Sequence, residues 1–253
     1  IHGVRERWRT LNRETRIVLV LAGAFVLFRT GVASLSGFGF HQGWNEGHYA
    51  LIADGFLDHP LVPQYAERYV YSVPPLFPYS VSASFLAFGE SVLAARVPSI
   101  LAGGGLLVAT YALGSVVLDE ARTALVGAVL LASLPYVQLY AGRVQTDALM
   151  VCLVTASLAA IVRGYERETG HRRWLLLGGG LFAAAFAAKQ PALLLPAIVL
   201  LWLVGNRRFD ADTLRRTGVL IAASAAFLVP VAAWLSINYL LNPTAFVTDW
   251  QHE

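Results

Sequence analysis

Glu46 and His48 stand two residues apart in "GWNEGHYALIADGF", with Tyr49 beside them. Arg143 and Asp147 stand four apart in "AGRVQTDALM", and Lys189 lies in "FAAAFAAKQPALLLP". Glu90, Arg96 and Arg29 also border long apolar runs. Ionisable groups at membrane depth are costly, so they pair with one another or line a polar cavity. Pairing alone, for instance Asp147 with Lys189 or Arg143, would serve only to hold helices together. A functional cavity is the stronger reading if all of these residues reach one face. Glu46 and His48 are the only hint of a divalent metal, and two ligands two residues apart are weak evidence for a site, so a metal stays open only as an alternative. No cofactor is expected.

The apolar runs decide which face they reach. The chain has 253 residues, 57% hydrophobic and 14% charged, with a mean hydropathy of +0.58. Soluble domains carry nearer a quarter charged residues, so this composition predicts an all-α polytopic membrane protein. The net charge of +3 is concentrated in a few clusters. That pattern fits membrane topology signals and gives no support for a nucleic-acid surface. Lys189 is the one lysine beside 18 arginines, and Cys152 is the one cysteine, buried in an apolar run where it can form no internal disulfide.

Seven crossings are expected, over residues 17–35, 92–118, 121–140, 148–162, 174–188, 192–204 and 219–241. The first reads as a retained signal anchor, since its apolar stretch is long for a cleaved signal. Basic clusters at 5–16, 163–173 and 207–216 belong inside by the positive-inside rule, with the N-terminus cytoplasmic and the C-terminus outside. The run Leu76 to Gly89 cannot then be a crossing, because counting it would place the four arginines of 163–173 outside. It should lie along the outer membrane surface, in a long first outer loop over 36–91. Within that loop Tyr49, Leu51, Ile52 and Phe56 suit an amphipathic interfacial helix. On this topology Arg29, Glu46, His48, Tyr49, Glu67, Arg68, Glu90, Arg96, Arg143, Asp147, Lys189, Asp249 and His252 gather outside.

The segments "NEGHYALIADGFLDHPLVP", "VPPLFPYSVSASFLAFGESVLAARVPSI", "AGRVQTDALM" and "FAAAFAAKQPALLLP" occur in this order. Together they resemble the GT-C glycosyltransferases of the protein O-mannosyltransferase and aminoarabinose-transferase superfamily, over nearly the whole chain. The resemblance implies a seven-helix module with two juxtamembrane helices in its first outer loop. It also implies a variable C-terminal module, expected to be missing from residues 1–253.

The implied activity is an inverting transfer of a sugar from a polyprenyl-phosphate donor to a hydroxyl or similar acceptor, outside the cytoplasm. A carboxylate would take the acceptor proton as the new bond forms. Glu46 and Asp147 match the family's acids and are the expected catalytic residues. Arg29, His48, Tyr49, Glu90, Arg96, Arg143 and Lys189 are expected to bind the donor phosphate or the substrate, with arginine forks suited to phosphate. Two positions depart from the family pattern: Asn45 replaces its first carboxylate, and Ser72-Val73 replace a Glu-Lys pair. Asn45 keeps a rival reading open, a non-catalytic subunit that binds lipid phosphate. A transporter is a weaker rival, since no repeat or midplane helix break is visible.

Overall fold

The computed structural model of the protein describes residues 11–38, 43–65, 68–118 and 120–251. Glu67 and His252 lie outside the described residues, as does the side chain of Arg68. Helix α1 (Arg13–Ser34) begins at Asn12, whose side chain accepts from the Thr15 N–H at 2.8 Å. Then come α2 (Gly43–Asp58) and a short antiparallel ladder, β1 (Gln64–Tyr65) with β2 (Arg68–Tyr69). After α3 (Leu76–Phe88), α4 (Val92–Val117) is capped by Ser91, whose hydroxyl accepts from the Ala94 N–H at 3.1 Å. The rest is α5 (Ala121–Ser133), α6 (Pro135–Tyr140), α7 (Thr146–Glu166), α8 (His171–Ala188), a 3-10 turn (Gln190–Leu194), α9 (Leu195–Gly205), α10 (Ala211–Leu241) and α11 (Pro243–Gln251).

Four helices, α1, α4, α7 and α10, are long and apolar enough to cross a membrane, so the protein is a polytopic helical membrane protein. Of the other three expected crossings, 174–188 falls within the single helix α8, and two are built from shorter pieces. The run 121–140 is not one helix: Leu134 turns extended and Pro135 opens α6, because proline suits the first helical position and cannot continue a preceding helix. Residues 192–204 form only part of a 3-10 turn followed by α9. Helix α10 starts eight residues before the expected Val219. Asp210 caps it, accepting from the Thr213 N–H at 2.7 Å, and the polar first turns are drawn inward by Arg216. That guanidinium donates to the carbonyls of Gly164, Tyr165 and Arg167, which α7 leaves unsatisfied at its end.

Contacts between helices define two ends of the bundle. At one, Thr15 and Asn12 meet the hydroxyl of Tyr111, and Tyr165 meets Thr217. At the other, the start of α4 meets the end of α1 through Arg96, and Ser99 meets Gln145 just before α7. There too Asn238, late in α10, donates to the Leu61 carbonyl in the first loop. Ile161, Leu175, Phe182, Leu195, Val199 and Leu203 form an apolar cluster together with Tyr165 and Leu220. Some polar side chains inside the bundle are satisfied by backbone, as where Ser157 donates to the Gly178 carbonyl at 2.7 Å.

Helix α3 packs between α2 and the start of α4. Its Phe77, Val81 and Phe85 pack on Ala53 of α2, on Ala94 and Ala95 at the start of α4, and on Val144. Its Tyr79 packs in a cluster with Trp234 from α10. Helix α2 differs from the expected one-faced amphipath. Ile52, Ala53 and Phe56 are buried while Leu51 points outward. At about 100° per residue, Leu51 cannot share a face with Ile52 and Phe56.

Candidate active site

Glu46 lies in the first turn of α2 and is paired with Arg96, Oε2 to Nη2, at 2.7 Å. Both side chains are buried, at 1% and 3% exposure. The other donors of Arg96 reach the carbonyls of Ala33, Ser36 and Gly37 and the Ser36 hydroxyl, at 2.8–3.3 Å. One guanidinium thus neutralises the carboxylate and also caps the carbonyl end of α1, where positive charge is favoured. Among the described residues, Glu46 Oε1 and Arg96 Nε are buried without a hydrogen bond. Asn45, next to this pair, is exposed.

Asp147 is placed differently. It sits in the first turn of α7 and accepts from Lys189 Nζ at 2.8 Å, with Lys189 31% and Asp147 34% exposed. This is the pair anticipated from the sequence. Lys189 ends α8 in extended conformation, which swings its side chain across to α7. Asp147 opens onto a groove of about 350 Å³, lined also by Tyr136, Tyr140, Gly103, Leu106 and Val151. Its carboxylate can meet a ligand while keeping its lysine.

Arg29, in α1, lies against the chain at Gly142. A Cβ there would fall 1.6 Å from Arg29 Nη2, so only glycine allows this approach. Arg29 is within electrostatic reach of Arg96 and Arg143. Among the described residues neither Arg29 nor Arg143 enters an ion pair. Two half-buried guanidiniums facing a third are suited to an anion. We expect Gly142→Ala to force Arg29 aside and destabilise the protein by about 1 kcal/mol, the low end for overpacking because the displaced atoms end a flexible side chain. Thermal unfolding in detergent should show this loss for Gly142→Ala, and Arg29→Ala should absorb most of it in the double variant. Additive losses would mean that the guanidinium does not fill that space.

The remaining expected residues are spread out. His48 is half-buried and packs edge-on against Tyr49, with ring centroids 5.6 Å apart, and Tyr49 packs on Phe77 in turn. Glu90 is exposed in the turn between α3 and α4 and makes no ion pair among the described residues. Among the described residues no three His, Cys, Asp or Glu side chains gather to hold a metal.

Several contributors escaped the sequence reading. Tyr136 and Tyr140, one helical turn apart in "PYVQLY", stack at 6.0 Å and line the groove. Their i, i+4 spacing just before "AGRVQTD" was the available signal. Ser72, where the family pattern has an acid, is clasped by its backbone. Its N–H donates to Asp249 at 2.7 Å, and its carbonyl accepts from Gln190 at 2.8 Å. Gln190 adjoins Lys189, so this clasp ties the tip after α8 to the first loop.

A family model described as dolichyl-phosphate-mannose-protein mannosyltransferase matches residues 72–237. The chain belongs to the dolichyl-phosphate-mannose-protein mannosyltransferase family. The match contains Glu90, Arg96, Arg143, Asp147 and Lys189 and begins after Arg29, Glu46, His48 and Tyr49. The mannosyltransferase-family fold extends further. The crystal structure of ArnT from Cupriavidus metallidurans bound to undecaprenyl phosphate superposes with a TM-score of 0.76 at 19% identity. The apo structure of the same protein gives 0.75 at 18%. Each comparison covers 92% of this chain and 44% of ArnT, so the chain spans less than half the length of that protein. No curated protein matches the chain.

Proposed function

We propose that this chain is the membrane module of a glycosyltransferase that moves a sugar from a polyprenyl-phosphate donor to an acceptor outside the cytoplasm. Family membership supports the reaction class, and the ArnT fold was crystallised with undecaprenyl phosphate bound. The observation that carries the reading is Asp147, an acid held by Lys189 and open to a groove at the same end as Arg29 and Arg143. In an inverting single displacement, Asp147 takes the proton of the acceptor hydroxyl as its oxygen attacks the anomeric carbon. The lipid phosphate leaves with the bonding electrons, and Arg29, Arg143 and Lys189 stabilise its charge. Glu46 acts through Arg96 as a positioning residue, since its carboxylate has almost no exposed surface. The reaction requires no metal in this scheme. Transfer from a labelled polyprenyl-phosphate sugar by the full-length protein tests it, and loss of transfer in Asp147→Asn is the required result.

The exposed Asn45 amide favours one rival, a lipid-phosphate-binding subunit with no catalysis of its own. That rival requires donor binding without transfer in the same assay.

The proposed orientation places seven traverses in the bilayer, with the arginine-rich end cytoplasmic and the end holding Asp147 outside. With Cys152 replaced by serine, a cysteine at Gln64 should react with a membrane-impermeant thiol reagent in intact cells. One at Gly170 should react only after lysis. The reverse pattern would invert the site, and labelling of both would remove the seven-traverse arrangement.

A further inference from the structure

The arginine-rich end holds a second concave feature, a groove of about 360 Å³ between the first turns of α8 and α10. Its mouth is formed by His171, Arg172, Arg215 and Arg216. Arg216 is already committed, to Asp212 at 2.6 Å and to the last carbonyls of α7. Arg172 and Arg215 are exposed and enter no ion pair among the described residues.

Beyond the mouth the lining becomes apolar. Leu176, Val219 and Phe227 form the walls, and Ala222, Ala223 and Ala226 keep the floor low. The two helices touch at Gly179, where an added Cβ would stand 2.8 Å from that of Ala223. A small residue every three or four positions on α10 therefore leaves a trough running from the cationic mouth along the bundle.

The depth of the mouth is marked independently. Trp174, one turn into α8, lies under Arg163 and Arg167 at 5.0 and 5.6 Å. Trp202 lies under Arg208 at 5.2 Å at the same end. Tryptophans and arginines concentrate where hydrocarbon gives way to headgroups. The free guanidiniums thus sit at phosphate level and the trough at acyl-chain level.

We infer that this groove binds one anionic phospholipid of the adjoining leaflet. Its phosphodiester lies between Arg172 and Arg215, and one acyl chain lies along Leu176, Ala222, Ala226 and Phe227. Planar guanidinium forks suit a phosphodiester, and the apolar trough distinguishes a lipid from a free phosphate. This site is independent of the transferase reading, being at the other end of the bundle.

Native mass spectrometry of the full-length protein in non-ionic detergent tests it, with phosphatidylglycerol, phosphatidylcholine and glycerol phosphate as probes. Each free guanidinium should strengthen binding about five-fold, so Arg172→Gln with Arg215→Gln should weaken phosphatidylglycerol about 25-fold. Ala226→Leu fills the trough without changing charge and should also weaken the lipid several-fold. Arg173→Gln, outside the groove, should leave its binding unchanged. The changed side chains are exposed, and a thermal melt of each variant confirms folding. Equal binding of phosphatidylcholine, equal binding of glycerol phosphate, or wild-type affinity in the double arginine variant would each overturn the assignment.

Discussion

Asp147→Asn should lower sugar transfer by about 100- to 10,000-fold, the usual loss on removing a general base. The amide keeps the shape of the side chain and can still accept from Lys189, 2.8 Å from the carboxylate. It cannot take a proton from an acceptor hydroxyl. Because the pair is about one-third exposed, the variant should melt close to the parent protein. Donor binding should also survive, since Arg29, Arg143 and Lys189 are untouched. The decisive measurement is turnover at saturating donor, per mole of folded protein. Turnover within a few-fold of the parent would remove Asp147 as the base. Equal loss of melting temperature and turnover would make the pair structural.

The second large effect concerns stability. Glu46→Gln should destabilise the protein by about 3–5 kcal/mol, because it strands a buried guanidinium. Arg96 is 3% exposed and holds Glu46 together with the carbonyl end of α1, so its charge has no route to water. Arg96→Met should cost a similar amount by stranding the carboxylate. The double variant removes both charges and should recover a substantial part of either loss, since a neutral pair carries no desolvation penalty. Melting in detergent across this cycle measures the coupling. If Glu46→Gln melts like the parent but loses turnover, the carboxylate acts in the reaction and the positioning role assigned to it is wrong.

The distinction between these two acids was not visible in the residues themselves. Glu46 and Asp147 both read as family carboxylates, and both are expected catalytic residues from the sequence. Their positions in first helical turns are alike. What separates them is the company brought by distant segments. Arg96 closes over Glu46 from 50 residues away, whereas Lys189 holds Asp147 at the rim of an open groove. Burial depends on how α1, α2 and α4 meet, and no local spacing records that.

The membrane class of the protein, a separate short apolar helix at Leu76–Phe88 and the approach of Lys189 to Asp147 could be read from the chain alone. Hydrophobic length and the position of arginines act through the bilayer, which constrains each segment by its own composition. An isolated lysine between two short apolar helices must find an acid, and the expected topology placed Asp147 on the same face. Tertiary structure alone decided the break at Pro135, the extension of α10 to Ala211, the clasp of Ser72 by Asp249 and Gln190, and the closeness of Arg29 to Gly142. These depend on contacts between residues 118, 177 or 113 positions apart or on where a polar helix start finds carbonyls to satisfy. Packing and hydrogen-bond satisfaction are properties of the assembled bundle, so the sequence supplies the groups while the fold determines their partners.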